Sequence, residues 1–344
     1  TRPSRSLFVF MLSCLSRTLA VGGGARVGAY VLPGRLLARS TQTNIADESP
    51  QEFATTVRAM VSSRLYPSMS IQPVKVTSLS EAYKYQSGIV ACATRRSREG
   101  GRIRGWKVGA SNQAAIEKLG LKEAFRGPLF APTLRRSPST VAWGELGVAL
   151  FAVEAEFAFT MSKTIEPRSE PYTEAEVWQA VSTVHPAIEI AASRSPSALP
   201  LSSATVHSLV ADYALHGVLV VGEAIPAAQV NPASLSEIAV TLSRQTSSDA
   251  EPVVAEGKGA NVLGSPLTSL SWLVNALSKD GITLEEGTIV TTGAAALLTS
   301  AQVPWGVECI LQAKLKGLGG DADKFHCVQL KMPKEDVQPW DIIE

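Results

Sequence analysis

No stretch of this 344-residue chain approaches the roughly 18 consecutive apolar residues of a membrane-spanning helix. The longest candidates, such as Leu7 to Leu12, fall far short, so no helical span is expected. The four cysteines, Cys14, Cys92, Cys309 and Cys327, form no CxxC pair. That argues against a zinc ribbon or a redox dithiol and reads as reduced thiols in a reducing compartment. No GxSxG elbow is present. GKGANVLG at 257–264 is glycine-rich but fits neither a P-loop nor a dinucleotide fingerprint. GLGGDAD at 317–323 ends in acids, which suits a turn better than a phosphate cradle.

Acids are missing before Asp47, and lysine before Lys75, while Arg2, Arg5, Arg17, Arg26, Arg35 and Arg39 punctuate a Ser-, Leu-, Gly- and Ala-rich lead. An arginine-rich, acid-free lead is the composition of an organelle transit peptide, so residues 1–46 are expected to be a mitochondrial transit peptide or a disordered lead, and the protein to reside in the matrix. Taking those six positive charges from the whole-chain +1 leaves −5 on the remainder. A mildly acidic body argues against nucleic acid as a partner, and no nucleic-acid motif is present.

Residues 47–75 read as a linker and irregular lead-in. A helix is expected over about 80–98, where Ala82, Tyr85, Ile89 and Cys92 recur at spacings of three and four before Gly100 and Gly101. GWKVGA at 105–110 reads as a short strand. From about residue 129 the chain turns strand-rich, with apolar runs at 147–161, 217–222, 237–242, 288–292 and 308–315. Thr173 and Glu176 form a capping box, and Val177, Ala180, Val181 and Val184 give the stripe of a helix stopped by Pro186. A second helix opens at Ser265-Pro266, uses Leu267, Leu270, Leu273, Val274 and Leu277, and ends by Gly281. Strands outnumber helices without alternating with them, which favours α+β over a doubly wound sheet.

The chemistry-bearing residues lie in the apolar strands. VEAEFAFTM at 153–161 carries Glu154 and Glu156 two residues apart, so on a strand they share a face, with Val153, Ala155, Phe157 and Phe159 on the other. HPAIEI at 185–190 places Glu189 in equally apolar company. Buried anions repel and lose hydration, so something must neutralise them. A hard divalent cation such as Mg²⁺ or Mn²⁺ does this with oxygen ligands. From spacing alone two other readings stay open: a solvated sheet face for the ExE pair, and an arginine partner for Glu189. His185 and Glu189 also share a strand face, which makes His185 a neighbour or a ligand.

Taken in order along the chain, these segments resemble the 2-hydroxypenta-2,4-dienoate (2-keto-4-pentenoate) hydratase and 4-oxalocrotonate decarboxylase family, within the fumarylacetoacetase C-terminal-like superfamily. The stretches that carry the resemblance are SLSEAYKYQ at 78–86, GWKVGAS at 105–111, VEAEFAF at 153–159 and HPAIEI with Ser193-Arg194. GKGANVLGSPLTSLSWLVNAL at 257–277, LEEGTIVTTGA at 284–294 and KGLG at 316–319 complete the series. The resemblance implies an α+β fold: a mixed β-roll forming a metal-binding core over 129–344, with a helical N-terminal part over 47–128. It implies Mg²⁺ or Mn²⁺ held by three carboxylates, which match Glu154, Glu156 and Glu189, with Lys107 near the substrate. A small 2-oxo or 2-hydroxy-dienoic acid would then be hydrated or decarboxylated through a metal-stabilised enolate. Lys107 would add positive charge at the same oxygen; the alternative is an exposed strand lysine.

Three stretches depart from the family pattern. Phe125 and Arg126 stand where the family commonly has an aspartate and an aromatic residue before glycine. Ala192-Ser193-Arg194 replaces DSR, and Asp212-Tyr213-Ala214-Leu215-His216 replaces DNASS. His216 is the residue that could replace a lost proton carrier, because imidazole titrates near neutrality. The alternative function is a catalytically impaired paralogue serving as a structural subunit of a mitochondrial assembly. The expected state is a homo-oligomer or a subunit of a mitochondrial complex.

Overall fold

The structure, a computed structural model, describes residues 48–335 apart from 66–69, 98–100, 148, 196, 198 and 200. The expected transit peptide, with Cys14, lies outside the described residues.

The chain enters through helix α1, Pro50–Leu65, where the sequence suggested an irregular lead-in. Its signals were local and were missed. Ser49 accepts the Glu52 amide, and Glu52 returns a carboxylate to the Ser49 amide, with Pro50 in the first turn. Val57, Met60 and Val61 are buried from this helix. It packs on α2, Leu79–Arg96, which ends two residues before the expected 98. Ser78 caps α2 through the Glu81 amide, and Ala82, Tyr85, Gln86 and Ile89 form its buried stripe. With the short α5, Val206–Ala211, these helices share an apolar cluster that includes Phe125, Phe130 and Tyr213.

The remaining elements build two sheets. In chain order the strands are β1 Ile103–Gly109, β2 Phe125–Phe130, β3 Leu134–Arg136, β4 Ser139–Thr140 and β5 Ala149–Met161. There follow β6 Val181–Ser193, β7 His216–Val221, β8 Ile225–Pro226, β9 Ala239–Gln245 and β10 Val253–Lys258. The last four are β11 Ile289–Thr291, β12 Ala296–Thr299, β13 Cys309–Lys316 and β14 Phe325–Met332. The larger sheet runs β2-β1-β11-β5-β6-β7-β3, with β12 joined to β5 and β8 to β6. The smaller runs β10-β9-β13-β14-β4. Two strands of the large sheet, β1 and β2, thus come from the part expected to be helical. Short α3, Gln113–Lys118, and α4, Glu174–Trp178, connect strands.

The expected helix after Thr173 is shorter than its stripe suggested. The capping box forms as expected, but α4 stops at Trp178, and Val181 and Val184 belong to β6. Both sides of β6 are paired, and that burial favours the strand over the 3.6-residue spacing. Pro186 does not end a helix. It lies inside β6, opposite Phe157, between the residues paired with β8 and those paired with β7, where the sheet changes partner.

The large sheet is rolled. A β-carbon on Gly127 of β2 would sit 2.5 Å from Ala214 Cβ, just ahead of β7, so these distant parts of the sheet approach each other. Outside the roll, Val153, Ala155, Phe157 and Phe159 pack with Trp106, Val108 and Ile188 against the second sheet. Helix α6, Pro266–Lys279, caps that layer through Leu267, Leu270, Leu273, Val274 and Leu277, as expected from the sequence. Each such side chain contributes about 1.5–3 kcal/mol by leaving water. Inside the roll, Leu129, Ala158, Ala187, Leu219 and Val221 fill one region, and the glutamates share that face. Among the described cysteines, Cys92, Cys309 and Cys327 are free thiols. Among the described residues no helix is long and apolar enough to cross a membrane.

Candidate metal centre

Antiparallel pairing of β5 with β6 sets Glu154 directly opposite Glu189, and Glu156 opposite Ala187. Side chains opposite each other share a face, so all three carboxylates project into the roll. One oxygen from each can be chosen so that all lie within 4.8 Å of one another. Glu156 and Glu189 are fully buried and Glu154 is half-buried. Among the described residues no other group of three or more His, Cys, Asp or Glu comes together in this way.

Each buried glutamate is held by one oxygen and leaves the other open. Glu156 Oε2 accepts from the Gly293 amide at 2.7 Å and from the Thr291 hydroxyl, while Glu156 Oε1 is buried with no protein partner. The Gly293 backbone has φ +93°, and a β-carbon there would lie 2.1 Å from Ser111 Oγ, so only glycine brings that amide to the carboxylate. Glu189 Oε1 accepts from Lys107 Nζ at 2.9 Å and from His216 Nδ1 at 2.8 Å, while Glu189 Oε2 is buried without a partner.

Lys107 reaches the cluster from β1, two strands away from β5, beside Thr291 on β11. It is 3% exposed, which removes the alternative of a surface lysine. Burial alone would lower its pKa, but Glu189, Glu154 and Glu156 together hold it above its ordinary value. Burial raises Glu156 well above the carboxylate range, reinforced by Glu189 and Glu154. Burial also raises Glu154, against the pull of Lys107. Burial opposes ionisation of Glu189 as well, but there Lys107 and His216 win and its pKa is depressed.

His216 is brought to the cluster, but not as a free base. Its Nε2 lies 2.8 Å from Thr133 Oγ1, so both ring nitrogens are engaged, and the ring is fully buried. Burial pushes its pKa down to about 4. A neutral ring donates Nδ1–H to Glu189, because an ionised carboxylate only accepts.

His185 is not with the glutamates. It lies four residues along β6 from Glu189, about 13 Å at the rise of a strand. Its Nε2 meets the hydroxyls of Thr160 and Thr183 at 3.0 and 2.8 Å, and its Nδ1 meets the Gly222 carbonyl at 3.2 Å.

The departures from the family pattern have local explanations. Phe125 packs in the helical cluster, its ring covering Gly109 where a β-carbon would lie 2.1 Å away. Arg126 points to the other face of β2. There its guanidinium lies 4.1 Å from the Tyr83 ring centre and 2.6 Å from Asp280. Arg194 and Asp212, the retained members of two altered motifs, pair with each other at 3.0 Å in full burial. Sequence reasoning missed Thr133, Thr291, Gly293 and Arg64. Gly293 and Thr291 lay inside the LEEGTIVTTGA stretch, but nothing there marked a contact to Glu156.

No family model matches the chain. It is 30% identical over 255 residues to 2-keto-4-pentenoate hydratase of Paraburkholderia xenovorans (strain LB400), covering 74% of this chain and 86% of that protein. It is 28% identical over 250 residues to the TodF product hydratase of Pseudomonas putida F1, covering 72% and 85%. The solved structure of 4-oxalocrotonate decarboxylase from Pseudomonas putida G7, complexed with calcium and acetate, superposes with TM-score 0.66 at 22% identity. That superposition covers 85% of this chain and all of the other, so the two share a fold. With its sequence kept over most of the length of those hydratases, the chain belongs to the 2-keto-4-pentenoate hydratase family.

Proposed function

We propose that this protein is a divalent-metal-dependent hydratase, or decarboxylase, of a small 2-oxo or 2-hydroxy-dienoic acid, with Glu154, Glu156 and Glu189 as the metal ligands. One observation carries the reading: Glu156 and Glu189 each offer one buried oxygen with no protein partner, beside Glu154. An orphaned, buried carboxylate oxygen costs free energy that a hard cation recovers. The relatives' names and the metal-bound structures of 4-oxalocrotonate decarboxylase, one with magnesium and adipate, support the same chemistry.

When bound, the cation supplies Lewis-acid stabilisation of negative charge at the adjacent carboxylate and 2-oxo oxygens of the substrate. The chain's own residues set the conditions. Thr291 and Gly293 fix Glu156, and Lys107 with His216 fixes Glu189. An ammonium carries three donors, and Glu189 takes one, so Lys107 keeps capacity to stabilise charge developing on the substrate's 2-oxygen. Phe125 offers no proton-transfer group, and both ring nitrogens of His216 are hydrogen-bonded, one to Glu189 and one to Thr133.

The cellular setting is part of the proposal. The arginine-rich, acid-free lead supports mitochondrial import, and the protein works there as a homo-oligomer or within a mitochondrial complex. The relatives carry the names of enzymes, which gives the alternative of an inert structural subunit no support.

The test is turnover. Purified protein stripped of metal should leave 2-hydroxypenta-2,4-dienoate untouched and consume it once Mg²⁺ or Mn²⁺ is added. A metal-loaded, folded protein that turns over neither this dienoate nor a longer 2-oxo analogue contradicts the reading.

A further inference from the structure

We infer that His216 is a positioning residue: braced by Thr133, it aims the open oxygen of Glu189 at the cation. The inference rests on the reading that the three glutamates hold a divalent metal.

Several features converge on this one side chain. Nδ1 contacts Glu189 Oε1 at 2.8 Å, and Nε2 contacts Thr133 Oγ1 at 2.8 Å. The ring is therefore a strut between a loop hydroxyl and a metal ligand, with no exposed surface. With Nδ1–H given to Glu189, Nε2 accepts the single hydroxyl proton of Thr133, and the Phe130 carbonyl lies 2.9 Å from the same oxygen as its alternative acceptor.

The backbone that delivers the ring is equally constrained. Three successive residues, Tyr213, Ala214 and Leu215, have φ of +54°, +53° and +64°, a conformation that side-chain-bearing residues rarely adopt. Strain of this kind persists only where surrounding contacts over-determine it. Here they do. The Arg64 guanidinium donates to the His216 carbonyl at 2.8 Å and also to the Gly217 carbonyl. A β-carbon on Gly217 would lie 2.4 Å from the Ile190 carbonyl oxygen, which brings β7 hard against β6 beside Glu189.

The geometry gives the strut a direction. Lys107 and His216 both take Oε1, which leaves Oε2 as the oxygen free to face the other carboxylates. Lys107 supplies charge, while His216 fixes rotation of the carboxylate about its last bond. Partners of this kind, one layer behind the ligands, typically alter metal affinity by about 10–100-fold when removed. His185 on β6, also buried, likewise has both ring nitrogens engaged but touches none of the three clustered glutamates, so it serves as the internal control.

The test is Mn²⁺ affinity of metal-stripped full-length protein, read from the electron paramagnetic resonance signal of free Mn²⁺, with folding checked by circular dichroism. His216→Ala should weaken binding about 10–100-fold. His216→Asn, which keeps an N–H near the place of Nδ1, should recover most of that loss. Thr133→Val, which removes the brace without touching Glu189, should weaken binding by a smaller factor, and His185→Asn should leave it unchanged. If His216→Ala does not fold, the Asn and Thr133 variants decide. Wild-type affinity in folded His216→Asn and Thr133→Val, with His216→Ala either unaffected or unfolded, overturns the inference. So does an equal loss in His185→Asn, which would mark a general core effect. Wild type that binds no Mn²⁺ overturns the metal reading itself, and the inference with it; wild type that binds while folded His216→Ala binds equally well overturns the inference alone.

Discussion

Glu154 on β5 and Glu189 on β6 face each other as direct partners of an antiparallel pair inside the roll. Like charges in that position destabilise a sheet, and burial enlarges the cost. A proton or a cation must therefore accompany the pair. The pKa of Glu156 is raised well above the ordinary carboxylate value, so the metal-free folded protein binds protons more tightly there than the unfolded chain does. The stability from that group is full below the unfolded value of 4.5 and is lost as pH rises through the raised one. Glu189 has the opposite sign, since its lowered pKa gives stability that is lost only as pH falls below the ordinary carboxylate range. As pH rises from the ordinary carboxylate value of 4.5, the rise in melting temperature on adding Mn²⁺ should therefore grow. Thermal unfolding with and without Mn²⁺ checks this, and calorimetry in buffers of different ionisation enthalpy should show proton release on binding.

Glu156→Gln removes a ligand charge at nearly constant volume. Metal-dependent turnover should fall below detection, and Mn²⁺ affinity should drop by at least about 10-fold. The metal-free variant should melt no lower than wild type at neutral pH, because it loses a buried carboxylate whose ionisation was already disfavoured. Turnover assays, Mn²⁺ titration and thermal unfolding on one preparation separate these effects.

Lys107→Met strands Glu189. With the ammonium gone from 2.9 Å, the metal-free protein should lose about 3–5 kcal/mol at neutral pH. The loss should shrink on acidification as Glu189 takes up a proton. Turnover should fall by about 10²–10³-fold even with saturating metal, as when a charge-stabilising donor is removed. Denaturant unfolding and steady-state kinetics measure the two losses separately.

Gly127→Ala places a β-carbon 2.5 Å from Ala214 Cβ and 3.1 Å from the Tyr213 carbonyl oxygen. Neither neighbour is the far end of a flexible side chain, so the turn ahead of His216 must move. The expected cost is about 1–3 kcal/mol, accompanied by weaker Mn²⁺ binding. A stability loss with unchanged Mn²⁺ affinity would show that the turn and the metal ligands are uncoupled.

The sequence carried the three glutamates more clearly than their supports. Period-two alternation around Glu154 and Glu156 was enough to place both on one face and four apolar side chains on the other, and the roll has that arrangement. The apolar run around Glu189 marked the third carboxylate, and the ordered resemblance joined it to the other two and supplied the lysine and the mixed β-roll. Contacts made across the fold were not legible. Nothing near His216 signals Thr133, which lies 83 positions away. The stripe after Thr173 fitted a helix, because spacings of three and four cannot reveal that both neighbours of β6 would pair with it. The lead-in at 47–75 was passed over although Ser49, Pro50 and Glu52 spell a helix start.

The most direct measurement is a crystal of the wild-type protein grown with Mn²⁺ and examined by anomalous scattering. The account predicts one peak per chain, about 2.0–2.2 Å from one oxygen each of Glu154, Glu156 and Glu189, absent in Glu156→Gln. A peak elsewhere, or three carboxylates turned from one another with no metal between them, contradicts it.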